Sequence, residues 1–238
     1  LSDIWMHPKQ GTDAAVAMAM GHVALKEFYF PDGGKQRSSY FDDYARRYTD
    51  LPMLVMLQEQ DTPAGKALVP QRYLRASDLA AENLGQGHNA EWKTLAYDGA
   101  GRVVVPQGSI GFRWGTDGHS DQGKWNLEAK EAVEGRDVKL KLSVLEDEQH
   151  AETVKTDVQP VAFPYFGGID SPGFKSNKQG DVMVRRVPMQ RLTVQEQGQS
   201  RDVWVATVYD LQVASYGVFR GLTDREGVLV DDGARSLD

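Results

Sequence analysis

The residues best suited to binding chemistry lie in one turn near the start of the chain. This turn consists of Lys9, Gln10, Gly11, Thr12 and Asp13. It precedes a run of small apolar residues at 14–23, and Thr12 or Asp13 can cap the helix that this run predicts. A helix start offers free N–H groups at the positive end of its dipole, which favours a phosphate or a nucleotide edge. An ordinary cap that binds nothing is the alternative.

The histidines do not form a metal-binding pattern. They are His7, His22, His88, His119 and His150. Because no HxxxH, HExxH or paired carboxylate–histidine spacing occurs, the sequence predicts no metal site and no catalytic residue in this chain. His22 lies on the apolar helix, where we expect a hydrogen-bonded core residue. His7 precedes the turn and is the one histidine that could face a ligand there.

The composition excludes several classes of protein and site. The chain has 238 residues and a formal net charge of -7, which argues against a nucleic-acid partner. It contains no cysteine, so it supplies no disulfide, no cysteine-ligated iron–sulfur cluster and no thiolate zinc site. No apolar run reaches the roughly 20 residues that span a bilayer.

Two helices and a buried strand are predicted in the first part. The helix at about 13–28 is apolar almost all the way round, so we expect it inside a larger protein with neighbours on every side. The second helix starts at Ser38 or Ser39 and carries an aromatic stripe for which we expect core packing. The stripe consists of Tyr40, Phe41, Tyr44 and Tyr48. The apolar run at 53–57 predicts a buried strand, and a short helix is expected at 75–85.

The rest of the chain is predicted to be rich in β-strands. They are expected at 92–97, 102–105, 138–145, 182–187, 191–194 and 203–211, with a short helix at 214–217. Residues 98–101 form a hairpin-type turn between the first two. Apolar and polar residues alternate at 138–144, as in a strand with one solvated face. The fold class is therefore α/β with a β-rich insertion, a mixed α+β chain.

Longer stretches resemble the catalytic alpha chain of membrane-bound respiratory nitrate reductases. The stretches are 3–15 with 19–23, 44–57, 108–115 with 123–128, 163–168 and 207–211. The Gly-Thr-Asp turn is common to molybdopterin oxidoreductases. The Gly-Phe-Arg-Trp-Gly segment at 111–115 and the Phe-Pro-Tyr-Phe-Gly-Gly segment at 163–168 are more particular to nitrate reductases.

This resemblance implies a DMSO reductase-like enzyme that reduces nitrate to nitrite at a molybdenum bis(molybdopterin guanine dinucleotide) centre. Electrons would come from quinol through a haem-bearing membrane subunit and iron–sulfur clusters, which lie in the beta subunit and, as a [4Fe-4S] cluster, elsewhere in the alpha chain. The complex would sit on the cytoplasmic side of the membrane, with the alpha chain peripheral to it.

The resemblance also implies that the turn grips one guanine dinucleotide. Gly11 would allow close backbone approach, Thr12 would cap the helix or reach a ribose or phosphate oxygen, and Asp13 would accept from the guanine edge. Lys9 and Gln10 would line the same pocket. The family's cysteine-containing cluster motif and molybdenum-ligating aspartate are absent from this sequence. We therefore expect an internal fragment of the alpha chain that is inactive alone.

Three ranges follow from this interpretation. We expect 1–85 to be part of the guanine-dinucleotide-binding α/β domain, 86–202 to be a β-rich family-specific insertion, and 203–238 to return to the main body. The main alternative is a non-catalytic scaffold or interaction module in which the turn is only a cap. An independent nucleotide-binding domain is a weaker alternative, since no GxGxxG fingerprint follows the first strand.

Overall fold

The computed structural model describes the chain in twelve stretches, which are residues 7–25, 27, 38–62, 65–79, 84, 89–106, 131, 133, 135–146, 157–164, 182–196 and 198–216. The helices within them are α1 (Asp13–Ala24), α2 (Ser39–Tyr48) and α3 (Val208–Tyr216). The strands are β1 (Leu54–Thr62), β2 (Gly65–Tyr73), β3 (Ala96–Tyr97), β4 (Val103–Val104), β5 (Asp157–Pro164), β6 (Val182–Glu196) and β7 (Gln199–Thr207).

Five of these strands close into a barrel in the order β1-β2-β5-β6-β7, and β7 pairs back onto β1. The neighbouring pairs are antiparallel except for β2 and β5, which are parallel where Leu68 meets Val161. Between these two strands the chain leaves the barrel and forms the separate β3–β4 hairpin. The expected mixture of helices and mainly antiparallel strands is therefore present.

The first half of β1 is buried on both of its faces. All five strands and α3 contribute to one apolar cluster, to which β1 supplies Val55 and Leu57. The alternate residues Leu54 and Met56 belong to a second cluster, together with Tyr97 of the hairpin. Because successive side chains of a strand point to opposite faces, the first four residues of β1 are all buried. The prediction of a buried strand at 53–57 is confirmed.

A buried carboxylate fixes the junction between β7 and α3. The Thr207 hydroxyl accepts from the Asp210 N–H (3.0 Å) and donates to Asp210 Oδ2 (2.9 Å). The N–H of Val144 donates to the same oxygen at 2.9 Å. Asp210 is 0% exposed, and this burial raises its pKa to about 7.

This junction corrects the strand predicted at 203–211. The strand ends at Thr207, and the helix begins one residue later because the Thr207 hydroxyl caps it by accepting from the Asp210 N–H. The Thr-x-x-Asp spacing is visible in the sequence, and it is the signal that the strand prediction missed. The short helix expected at 214–217 is the end of α3.

The strand predicted at 138–145 is also wrong. Its only described ladder contact is the isolated bridge between Leu140 and Asp98. Side chains, and not a neighbouring strand, accept two of the backbone N–H groups that follow. The Leu142 N–H donates to Glu146 Oε2 (3.2 Å), and the Val144 N–H donates to Asp210 Oδ2. Lys141 is buried as well, so the expected solvated face is missing. Residues 139–146 thus form a side-chain-anchored segment, which we call the anchored segment.

Several local predictions are confirmed. Ser38 caps α2, because its Oγ accepts from the Phe41 N–H at 3.2 Å. The hairpin turn lies where expected, since the Asp98 carboxylate accepts from the N–H groups of Ala100 (3.0 Å) and Arg102 (2.9 Å). Gly101 completes this turn with a φ of 78°, in the left-handed region that favours glycine.

Three other elements differ from expectation. Of the helix expected at 75–85, the structure describes the 3-10 helix Ala76–Asp78 and a 3-10 conformation at Leu84, and the guanidinium of Arg72 binds the Asp78 carboxylate (2.7 Å). The strand expected at 92–97 shrinks to β3, since a second 3-10 helix, Ala90–Trp92, precedes it. The strands expected at 182–187 and 191–194 are one strand, β6.

The aromatic stripe on α2 does not pack in the core. Tyr40, Tyr44 and Tyr48 are 69%, 50% and 54% exposed, and their rings stack on one another with centroids 6.1 and 5.3 Å apart. The face that α2 buries contains Ala45 and part of Phe41, which pack with α3. The three tyrosines lie beside that face and have no apolar cover among the described residues.

The barrel combines strands from all three predicted ranges. β1 and β2 come from 1–85, and β5 and β6 come from 86–202. β7 crosses the boundary at 202, and its end and all of α3 belong to 203–238. The divisions at 85 and 202 remain predictions about the organisation of a longer protein. Residues 3–6, 108–115, 123–128 and 165–168, which carry part of the resemblance, lie outside the described residues.

The buried Asp210 predicts a specific dependence of stability on pH. Its pKa of about 7 exceeds the ordinary value of 3.8, so its contribution to the free energy of unfolding is fully present below about pH 4 and falls as the pH rises to about 7. The loss is on the order of 4 kcal/mol at most.

We expect Asp210→Asn to flatten this part of the pH profile in urea unfolding of the purified chain. Asp61→Asn, at an exposed position of β1, is the control. Identical profiles for the wild type and Asp210→Asn would contradict this assignment.

Candidate functional site

The turn before α1 leaves the start of the helix open. Thr12 occupies the N-cap position, but its hydroxyl donates back to the Lys9 carbonyl at 2.6 Å and does not cap the helix. The Thr12 N–H bonds the same carbonyl at 3.1 Å. Within the described stretches, the N–H groups of Asp13 and Ala14 have no hydrogen-bond partner. They are therefore available to an external acceptor at the positive end of the helix dipole.

The side chains around this helix start face solvent. Lys9, Gln10 and Asp13 are exposed, and Asp13 is the acidic residue of the first helical turn. Gly11 has a φ of 80°, and a Cβ built on it meets no atom within 4 Å. The backbone conformation therefore favours glycine there, and the space beside it is open to a ligand. The structure brings all five predicted site residues together in one exposed turn.

One hydrogen bond positions α1 on α3. His22 Nδ1 lies 2.7 Å from the carbonyl oxygen of Tyr216, the last residue of α3. A carbonyl can only accept, so Nδ1 carries the hydrogen. Gly21 packs beside the same residue, and a Cβ on it would lie 3.0 Å from Tyr216 Cε1. His22 is 7% exposed, which confirms the expectation of a hydrogen-bonded core histidine.

The other histidines contribute no described site. His7 is exposed beside the turn, and His88, His119 and His150 lie outside the described residues. Among the residues with described positions, no group of three His, Cys, Asp or Glu side chains is arranged to hold a metal ion. No helix within the described ranges has the length and hydropathy needed to cross a membrane.

α1 is less buried than its composition predicts. His22 is its one buried residue, while Met20 and Val23 are 54% and 48% exposed. The apolar residues of α1 are spread around the helix, so packing one side against α3 leaves the others uncovered. The expectation of neighbours on every side is therefore not met within the described part of the chain.

A network of charges holds α2 against the anchored segment. Arg46 Nε donates to Asp42 Oδ2 (2.8 Å), and its Nη2 donates to Glu146 Oε2 (2.9 Å). Its Nη1 also donates to the carbonyl of Leu140. The anchored segment also contacts α3, because the Val144 N–H donates to the Asp210 carboxylate. Both α2 and α3 are therefore hydrogen-bonded to the anchored segment. The Arg46–Asp42 pair has the local i,i+4 spacing of a helix, but the contacts with Glu146 and Leu140 are long-range, and no local sequence pattern predicts them.

The comparison with known proteins identifies one class, the nitrate reductases. The respiratory nitrate reductase 2 alpha chain of Escherichia coli strain K12 is 49% identical over 224 residues, which cover 94% of this chain and 16% of that protein. The respiratory nitrate reductase 1 alpha chain of the same strain is 45% identical over the same coverage. The nitrate reductase alpha chain of Bacillus subtilis strain 168 is 34% identical over 97% of this chain and 16% of its own length. No protein-family model matches the chain.

Nearly the whole of this chain aligns with these relatives, and it spans about 16% of their length. Over nearly its whole length it matches a segment of respiratory nitrate reductase alpha chains. The resemblance drawn from the sequence is confirmed.

The contact between His22 and Tyr216 predicts how α1 responds to mutation. We expect His22→Leu to leave the Tyr216 carbonyl without its donor and to destabilise the docking of α1 by about 1–3 kcal/mol. Hydrogen exchange of the α1 amides should become faster, while that of the barrel strands should not change. Val23→Leu, at the exposed neighbouring position, is the control. Unchanged exchange in α1 of the His22→Leu protein would refute this role.

Proposed function

We propose that this chain is part of a nitrate reductase catalytic chain and that its first turn binds one guanine dinucleotide of the molybdenum cofactor. The similarity to nitrate reductase alpha chains over 94% of the sequence is the observation that carries this proposal. The full protein would reduce nitrate to nitrite at a molybdenum bis(molybdopterin guanine dinucleotide) centre. The segment alone would be inactive, since it offers the cofactor a binding turn and no metal ligand.

The geometry of the turn fits such a ligand. The N–H groups of Asp13 and Ala14 can donate to a phosphate or ribose oxygen, and the open space beside Gly11 allows a ligand to approach the backbone. The exposed carboxylate of Asp13 can accept two hydrogen bonds from the N1–H and N2–H₂ edge of guanine. Lys9 adds a positive charge near the phosphates, and Gln10 adds amide donors and an acceptor.

The bound cofactor would supply the redox chemistry, and this chain would hold one end of it. The electrons would come from quinol through a haem-bearing membrane subunit and the iron–sulfur clusters of the beta subunit and the alpha chain, including a [4Fe-4S] cluster. We place the complex on the cytoplasmic side of the membrane. In this arrangement 1–85 is part of the guanine-dinucleotide-binding domain, 86–202 is a family-specific insertion, and 203–238 returns to the main body.

The uncovered apolar surface of the chain supports contact with the remainder of a longer alpha chain. Met20 and Val23 on α1 are exposed, and so are the stacked tyrosines of α2. Clusters of exposed apolar side chains are typical of surfaces that another part of a protein covers. The same patches favour the second candidate function, a non-catalytic interaction module, if the turn proves to bind no nucleotide.

The proposal predicts that Asp13 retains the cofactor. We expect Asp13→Ala in the full-length protein to weaken retention of the guanine dinucleotide at least about tenfold, because it removes charge-assisted hydrogen bonds worth about 1.5–3 kcal/mol. Molybdenum and guanine content after extensive dialysis, measured beside nitrate reduction with a viologen donor, test this expectation.

Asp43→Ala is the matched control, since Asp43 is an exposed helical aspartate that pairs with Arg47 on α2. It should leave cofactor content unchanged. Unaltered molybdenum content and activity in Asp13→Ala would remove the assigned role from the turn. Nitrite production by the isolated chain would contradict the inactivity of the segment.

A further inference from the structure

One tyrosine contacts two consecutive residues near the end of α1. This residue is Tyr216, the last residue of α3, and its partners are Gly21 and His22. A Cβ built on Gly21 would lie 3.0 Å from Tyr216 Cε1 and 3.2 Å from its Cζ. His22 Nδ1 lies 2.7 Å from the Tyr216 carbonyl oxygen. Both the ring and the backbone of Tyr216 are therefore in contact with α1.

Glycine is an unexpected residue at this place in α1. The helix is otherwise rich in alanine and methionine, and a glycine inside a helix lowers its stability relative to alanine. Apolar carbon atoms normally approach no closer than about 3.5 Å, so a Cβ at 3.0 Å from the ring would overlap it. Gly21 thus weakens the helix but allows α1 to approach Tyr216 closely.

The Tyr216 side chain has little room to move away from Gly21. It packs against an apolar cluster that includes Leu142, Tyr209 and Val213. The backbone of Tyr216 is held as well, because its carbonyl accepts from His22. A larger side chain in place of Gly21 is therefore expected to displace α1 more readily than the ring.

α1 connects this contact with the proposed binding turn. Gly21 lies eight residues after Asp13, which is roughly 12 Å along a helix. A tilt of about 10° at Gly21 moves the helix start by about 2 Å, more than the roughly 0.5 Å that a positioned binding group tolerates. Residues 9–14 are exposed apart from Thr12, whereas the other end of α1 packs against α3. The direction of the helix start thus depends on the packed end.

We propose that Tyr216 is a positioning residue for the molybdenum cofactor and that it acts through Gly21 and His22. The ring sets how closely α1 approaches α3, and the carbonyl orients the helix through the His22 hydrogen bond. Together they fix where the N–H groups of Asp13 and Ala14 point. This inference rests on the proposed function, in which the turn before α1 binds a guanine dinucleotide.

The test is a double-mutant cycle in the full-length protein, and the readout is the rate at which bound guanine dinucleotide is lost during dialysis. We expect Gly21→Ala to lose it at least about fivefold faster, because overpacking at this contact shifts α1. Tyr216→Leu removes the ring but keeps the carbonyl, and it should also lose the dinucleotide faster. The double variant should lie closer to the wild type than either single variant, since the added methyl group fills part of the space that the ring leaves.

Two controls separate positioning from a general loss of stability. Gly198→Ala introduces strain at a φ of 79° in the β6–β7 turn, and it should lose the dinucleotide at the wild-type rate. Tyr216→Phe keeps the ring, so it should also behave as the wild type does. The comparison of Tyr216→Phe with Tyr216→Leu provides the test if Gly21→Ala does not fold.

Wild-type rates of loss in Gly21→Ala and Tyr216→Leu would overturn the inference. So would a double variant that is no closer to the wild type than its single variants. Asp13→Ala is measured in parallel. If Asp13→Ala loses the dinucleotide faster while Gly21→Ala and Tyr216→Leu do not, only the positioning role fails. If Asp13→Ala behaves as the wild type, the proposed function fails, and this inference fails with it.

Discussion

The carboxylate of Asp210 connects parts of the molecule that are far apart in the sequence. It accepts a hydrogen bond from the hydroxyl of Thr207, at the point where β7 ends and α3 begins. It also accepts from the N–H of Val144 and so holds the anchored segment. An unpaired carboxylate in this completely buried position would be costly, so these hydrogen bonds must form together as the chain folds. The closure of the barrel and the direction of α3 both depend on this junction, because β7 pairs with β1 immediately before it.

The position of the proposed cofactor turn follows from this junction. α3 ends at Tyr216, whose carbonyl accepts from His22, and this contact orients α1 against α3. The start of α1 then faces away from its packed end, so its free N–H groups and the exposed Asp13 remain accessible. The packed helices thus support the proposed binding turn, and binding residues often lie on loops that a stable scaffold positions.

Local signals in the sequence predicted local structure well. The Ser38 cap, the hairpin turn at Asp98 and the buried run at the start of β1 each depend on a few neighbouring residues, and each is confirmed. The errors arise where distant residues decide the structure. The anchored segment alternates like a strand, but acceptors on Glu146 and Asp210 replace its ladder partners. Likewise, helical spacing predicted the tyrosine stripe on α2 but could not reveal which helix face would be covered. The turn of five candidate residues was predicted from the sequence and its binding role stays a prediction, whereas the contacts of Arg46 with Glu146 and Leu140 required the tertiary structure.

The central claim is that the turn before α1 contacts a guanine dinucleotide. A high-resolution structure of the full-length protein with its cofactor tests this claim most directly. We expect the Asp13 carboxylate to lie about 2.7–2.9 Å from the N1 and N2 nitrogens of one guanine, with the N–H groups at the start of α1 donating to the same dinucleotide. A cofactor bound elsewhere, with the Asp13 carboxylate in solvent, would contradict the account.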